Sequence, residues 1–235
     1  VVRDDPATEP FVLAGHAYLL AQAGAIDEAR AALARMREIA ERQGQRIVLW
    51  ASWGQNVGRT ELLAGDAERA EAALRPSYEA LRGAGSLAFS STLAGQLAHA
   101  LVELGRLDEA RRYAAEVRDV AGEADVLSQI LWRGALARAW TDGGPTERRS
   151  LADEAVALAE TTEWPNVLAD ALLDRARLEF ALGDPEDLRR AGDDAQHAKV
   201  VYDGKGNTAG AAKAVALAAT PHPRQQSATG RGGAG

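Results

Sequence analysis

The chain has 235 residues, 46% hydrophobic and 26% charged, which is enough apolar material for a buried core and excludes disorder throughout. It has no cysteine, four scattered histidines and a net charge of −7, so disulfides, thiolate metal sites and cysteine nucleophiles are excluded and a phosphate-rich nucleic-acid partner is disfavoured. No apolar run approaches the roughly 20 residues of a membrane span and no cationic leader opens the chain, so we expect a cytoplasmic protein that touches neither membrane nor nucleic acid directly.

Aromatic residues make up only 5% and β-branched residues are sparse, so the elements should be helices. Three of the 27 basic residues are lysines and 24 are arginines, a bias that with the abundant alanine suits a GC-rich bacterial genome and carries no functional weight. Residues 1–10 are expected to be an extension or linker. Helices are then expected over 11–23 and 27–43, 48–64 and 66–82, 87–104 and 107–122, 125–141 and 146–161, 166–182 and 185–202, with a closing helix over 208–219. Each pair turns on a glycine followed by acidic residues: Gly24, Gly65, Gly105, Gly144 and Gly183, spaced 39 to 41 residues apart. A glycine supplies a left-handed helix end and the acids begin the next helix, most clearly at Asp184-Pro185-Glu186. Pro76 falls inside a predicted helix and should kink or break it. Residues 220–235 have no periodic apolar residue and should form a disordered tail.

A small residue stands seven positions before every one of these glycines: Ala17, Gly58, Ala98, Ala137 and Ala176. In the first three repeats an alanine follows five positions later, at Ala29, Ala70 and Ala110. Such residues let two helix backbones approach closely. This spacing resembles a tetratricopeptide repeat in a relaxed form, with a period near 40 instead of about 34 residues. The stretches Glu163–Asp174 and Tyr202–Asn207 are similar to the C-terminal region of bacterial regulators that join a nucleotide cyclase or a LuxR-type DNA-binding module to a signalling ATPase. The resemblance covers residues 11–219. It implies an all-α, right-handed solenoid of about five antiparallel hairpins with a terminal capping helix, and catalytic ATPase or cyclase modules upstream of Val1.

Nothing in the sequence marks an enzyme, a metal or a cofactor. The stretch Gly83–Ala88 lies between helices without the strand a dinucleotide fingerprint needs, and Gly204-Lys205-Gly206 lacks phosphate-loop spacing. His16, His99, His197 and His222 share no metal-ligand spacing, and Asp193-Asp194-x-x-His197 reads as a solvated polar face. The five tryptophans read as packing residues more readily than as stacking platforms for a sugar.

By analogy with the family, the position six before each glycine points into the concave face. Tyr18, Arg59, His99, Arg138 and Arg177 occupy it, with Gln22, Ser52, Gln55, Thr92, Glu103 and Asp170 as neighbours on the same surface. Two readings stand: a positive stripe for an acidic protein or peptide partner, or arginines paired with acids on adjacent helices. The resemblance therefore implies a non-catalytic scaffold for protein or peptide binding within a larger regulator. The alternative is a small-molecule effector domain, which an enclosed cavity lined by Trp50, Trp53 and His99 would favour.

Overall fold

The computed structural model describes residues 8–219, so the tail expected over 220–235 and residues 1–7 of the expected extension lie outside the described residues. Those described residues hold eleven α-helices and no strand: α1 Glu9–Gln22, α2 Ile26–Arg42, α3 Gly54–Ala64, α4 Ala67–Gly83, α5 Leu87–Glu103, α6 Leu107–Val120, α7 Val126–Ala139, α8 Pro145–Glu160, α9 Pro165–Leu182, α10 Pro185–Gly204 and α11 Thr208–Ala218. The protein is all-α. A π-helical stretch, Val48–Trp53, runs directly into α3 and widens its first turns where Trp50 and Trp53 stand.

Local chemistry sets the helix boundaries. Side chains of Asp66, Asp125 and Asn207 accept hydrogen bonds from the backbone N–H three residues on, at 3.0, 3.2 and 2.9 Å. Pro145, Pro165 and Pro185 open their helices, where a missing N–H costs nothing. Asp184 precedes α10 without capping it; its carboxylate lies 3.4 Å from Arg149 instead.

Gly24, Gly65, Gly105 and Gly183 end their helices with φ between 70° and 83°, as the spacing predicts. Gly144 departs from the pattern. It has φ −61° and sits at the start of α8, five residues beyond the end of α7 at Ala139. The free carbonyls at the end of α7 are met by a buried arginine: Arg148 Nε donates to the Ala137 carbonyl at 2.9 Å, with Nη2 3.5 Å from that of Arg138. Helix α4 runs unbroken through Pro76, where the sequence suggested a kink or a break. The residues around the proline, Leu74, Ser77, Tyr78 and Leu81, are buried, and their packing outweighs the roughly 3 kcal/mol an interior proline costs.

Ala17, Gly58, Ala98, Ala137 and Ala176 are all buried, as are Ala29, Ala70 and Ala110. At Gly58 the approach is so close that a β-carbon would stand 2.5 Å from Leu74. Each helix packs on the next, and α1, α3, α5, α7 and α9 also pack on one another in order. The odd-numbered helices thus form an inner layer and the even-numbered ones an outer layer. The main core runs through the middle of this stack and includes Leu74, Leu93, Leu97, Leu101, Val117 and Trp132. From the outer layer, arginines reach acids in the neighbouring pair: Arg30 on α2 grips Glu61 on α3 at 2.9 and 2.7 Å, and Arg149 on α8 grips Asp187 on α10 at 2.8 and 2.6 Å.

The two ends of the stack meet. Helix α11 packs on α10 and also on α1 and α3. Asn166 Nδ2 donates to Gln22 Oε1 at 2.9 Å, Asn207 Nδ2 to Asn166 Oδ1 at 3.1 Å, and the Thr208 hydroxyl to the Gln22 carbonyl at 3.2 Å. Lys213 Nζ donates to the Leu62 carbonyl.

Candidate functional site

Where the ends meet, the inner face forms a partly open chamber of about 530 Å³. Its walls include all five residues found six positions before the glycines: Tyr18, Arg59, His99, Arg138 and Arg177. One helical turn of register on five successive inner helices has brought them onto a single surface. Of their expected neighbours, Glu103 and Asp170 line the chamber, whereas Gln22, Ser52, Gln55 and Thr92 do not. Gln22 belongs to the end-to-end contact with Asn166, and the Thr92 hydroxyl lies 3.2 Å from that of Ser128.

The five side chains have different surroundings. Arg138 is the anchor of a buried ion cluster, with a side chain only 11% exposed. Its Nη1 donates to Asp174 Oδ1 at 2.9 Å and its Nη2 lies 2.9 Å from Glu103 Oε1. Arg177 faces the same two acids at 3.5 and 3.9 Å. His99 completes the cluster, with Nδ1 3.4 Å from Asp174 Oδ2 and Nε2 3.0 Å from the Leu131 carbonyl, which can only accept. Burial opposes ionisation of Asp174, yet His99, Arg138 and Arg177 together hold its carboxyl below the ordinary value. Glu103 is likewise held low by Arg138 and Arg177 against its own burial. Arg138 is therefore neutralised in place, and the inner face is no free positive stripe.

In the same wall, the guanidinium of Arg59 lies over the Tyr18 ring, 3.7 Å from its centroid, and no carboxylate among the described residues pairs with it. Burial raises the Tyr18 phenol above its usual value, and the Arg59 charge partly offsets this. Asp170 is exposed in the chamber wall and accepts a hydrogen bond from the Tyr202 hydroxyl. Desolvation pushes its carboxyl up, while that hydrogen bond, Arg59 and Lys213 pull the other way.

Three residues of the chamber carry no signal in the repeat. Asp174, nine before Gly183, corresponds to Gly15, Asn56, Gln96 and Ala135 in the other inner helices, so nothing periodic marks it. Gly134 makes room for it: a β-carbon there would stand 3.0 Å from Asp174 Oδ2 and 3.4 Å from His99 Cε1. Lys213 arrives from α11, which the sequence presented as a terminal cap.

The tryptophans divide differently from the expectation. Trp50 and Trp53 pack between helices, Trp53 donating its indole N–H to the Leu33 carbonyl at 3.1 Å, and neither lines the chamber. Trp164 does line it, at the start of α9 and 49% exposed. Leu62, Leu127, Ile130, Leu131 and Val167 supply the apolar wall.

Asp193 and Asp194 are engaged elsewhere, by Arg189 at 2.8 Å and Arg175 at 2.7 Å, with His197 exposed beside them. Among the described residues no three histidine, aspartate or glutamate side chains come together as a metal site, and no helix is long and apolar enough to cross a membrane. No protein-family model matches the chain, and no curated protein matches it.

Proposed function

We propose that this chain is a non-catalytic small-molecule effector domain, built as a closed turn of a right-handed, tetratricopeptide-like solenoid. The observation that carries this reading is the meeting of α11 with α1 and α3, which turns an inner face into a chamber of about 530 Å³. Ligand pockets commonly measure about 300–1,000 Å³ and combine apolar walls with a few fixed polar groups. An extended acidic peptide, the first expectation from sequence, needs an open groove and uncommitted cations. Here the ends of the groove are tied together, and the most central cation, Arg138, is held by Asp174 and Glu103.

The His99–Asp174 contact supports a binding role over a catalytic one. The ring spends its Nε2 proton on the Leu131 carbonyl and its Nδ1 faces Asp174, which leaves no ring nitrogen for a substrate proton. In a longer cytoplasmic regulator of the kind the sequence resembles, such a domain would report chamber occupancy to an upstream ATPase, cyclase or DNA-binding module.

The test is a thermal-shift screen of the purified chain against metabolites and, separately, against a peptide array. A chamber ligand should raise the melting temperature progressively with its concentration, stabilising the fold by about 2.7 kcal/mol at one hundred times its Kd, and change Trp164 fluorescence saturably. Binding of acidic peptides alone, with no small molecule shifting the transition, would overturn the reading.

A further inference from the structure

The class of ligand can be taken one step further, and this step rests on the chamber reading above. The chamber wall carries five cations, Arg59, Arg138, Arg177, Lys205 and Lys213, and four acids, Glu103, Glu163, Asp170 and Asp174. Arg138 takes the close contacts to Asp174 and Glu103, leaving Arg177 with the same acids at 3.5 and 3.9 Å. Arg59 has an aromatic ring and no carboxylate. Lys213 has a backbone carbonyl and no carboxylate among the described residues.

Of the remaining acids, Glu163 is exposed and Asp170 already accepts the Tyr202 hydroxyl, and neither forms an ion pair among the described residues. The electrostatics of Lys213 register the deficit. Burial first and the Arg177 charge second push its ammonium below the ordinary value, and Asp170, Glu103 and Asp174 offset this only in part. Arg59 and Lys213, neither with a carboxylate at ion-pair distance among the described residues, leave a positive pole that an anion would neutralise. The opposite quality is found along Leu127, Ile130, Leu131 and Val167, an apolar wall of the same chamber.

We propose that the chamber binds an amphipathic organic anion, a carboxylate or phosphate on an apolar body, with its charge held by Arg59, Arg177 and Lys213 and its body against Leu127, Ile130 and Leu131. The guanidinium forks suit the paired oxygens of either head group, and the ammonium adds a point charge.

Octanoate, octyl phosphate, octanol and octylamine separate the terms when titrated calorimetrically into the full chain. One of the two anions should bind at one per chain, at least tenfold more tightly than octanol, and weaken as salt rises; whichever is tighter identifies the head group. Lys213→Met should cut that affinity at least tenfold with an unchanged helical spectrum, and Arg59→Gln should do the same through a residue outside α11. If octanol binds as well as the anions, or if neither substitution weakens them, the anion pole is wrong while the chamber stands. If no probe binds saturably and Trp164 fluorescence is unmoved, the chamber reading falls as well.

Discussion

Asp174 reaches the cluster of His99 and Arg138 through the space that Gly134 leaves empty, with its Oδ2 3.0 Å from where a β-carbon on Gly134 would stand. The two residues lie on adjacent inner helices, α7 and α9, and the contact sets how closely those helices approach.

Gly134→Val should therefore do more than overpack. It drives Asp174 off Arg138 and leaves a buried guanidinium short of an acid, for a total cost of about 3–5 kcal/mol. Chemical denaturation measures the loss. A Gly134→Val, Asp174→Ala double variant should be less damaged than the sum of its parts, since the clash and the pair share one partner.

Arg138, which is paired with acids, and Arg59, which is not, should respond differently to truncation. Arg138→Ala strands Asp174 and Glu103 and should cost about 3–5 kcal/mol. Arg59→Ala removes a cation stacked on a ring and should cost about 0.5–2 kcal/mol. Equal losses in urea titrations would mean that the geometry misassigns the anchor.

Glu179 supplies a pH dependence. Its side chain has no exposed surface, and Arg190 Nε comes within 3.1 Å of Oε1 without the alignment of a hydrogen bond, so neither carboxylate oxygen accepts one. Desolvation raises its pKa to about 7. The folded state therefore holds this proton more firmly than the unfolded chain, whose glutamates titrate near 4.3. This group's stabilisation is complete at acidic pH below that value and is lost as pH rises towards about 7, by roughly 3 kcal/mol. Glu179→Gln, measured in urea from pH 4 to 8, should remove that part of the slope and gain stability at the alkaline end.

The close helix approaches are tested by Ala98→Phe and Gly58→Ala. Ala98 is fully buried between α5 and its neighbours, and Gly58 has Leu74 2.5 Å from any new β-carbon. Each should lower stability by about 1–3 kcal/mol, with Ala98→Phe the larger. Melting curves matching the wild type would refute the register.

The helices and their inward faces were legible because they depend on local spacing: a glycine every 39 to 41 residues and a small residue seven before it. The same spacing placed Tyr18, Arg59, His99, Arg138 and Arg177 on one surface. What stood opposite them was not legible. Asp174 and Gly134 break the repeat, and their partnership depends on the distance between two particular helices. The position of Lys213 against Leu62 depends on the rotation accumulated over every intervening helix, which no single segment encodes. At Gly144 the local rule failed because Arg148 satisfies the carbonyls that a left-handed glycine would otherwise help to close.

The bonds between the two ends also impose an order in time. Gln22 to Asn166, Leu62 to Lys213 and Gln22 to Thr208 join residues 144, 151 and 186 positions apart, whereas the helix pairs close over short turns. Loop-closure entropy makes such distant contacts the last to form during folding, and being few and polar they are the first to part afterwards. A chain arrested before that step would hold its secondary structure and most of its core and yet have nowhere to keep a ligand. Parting α11 from α1 and α3 would therefore open the chamber further while leaving the helix pairs intact.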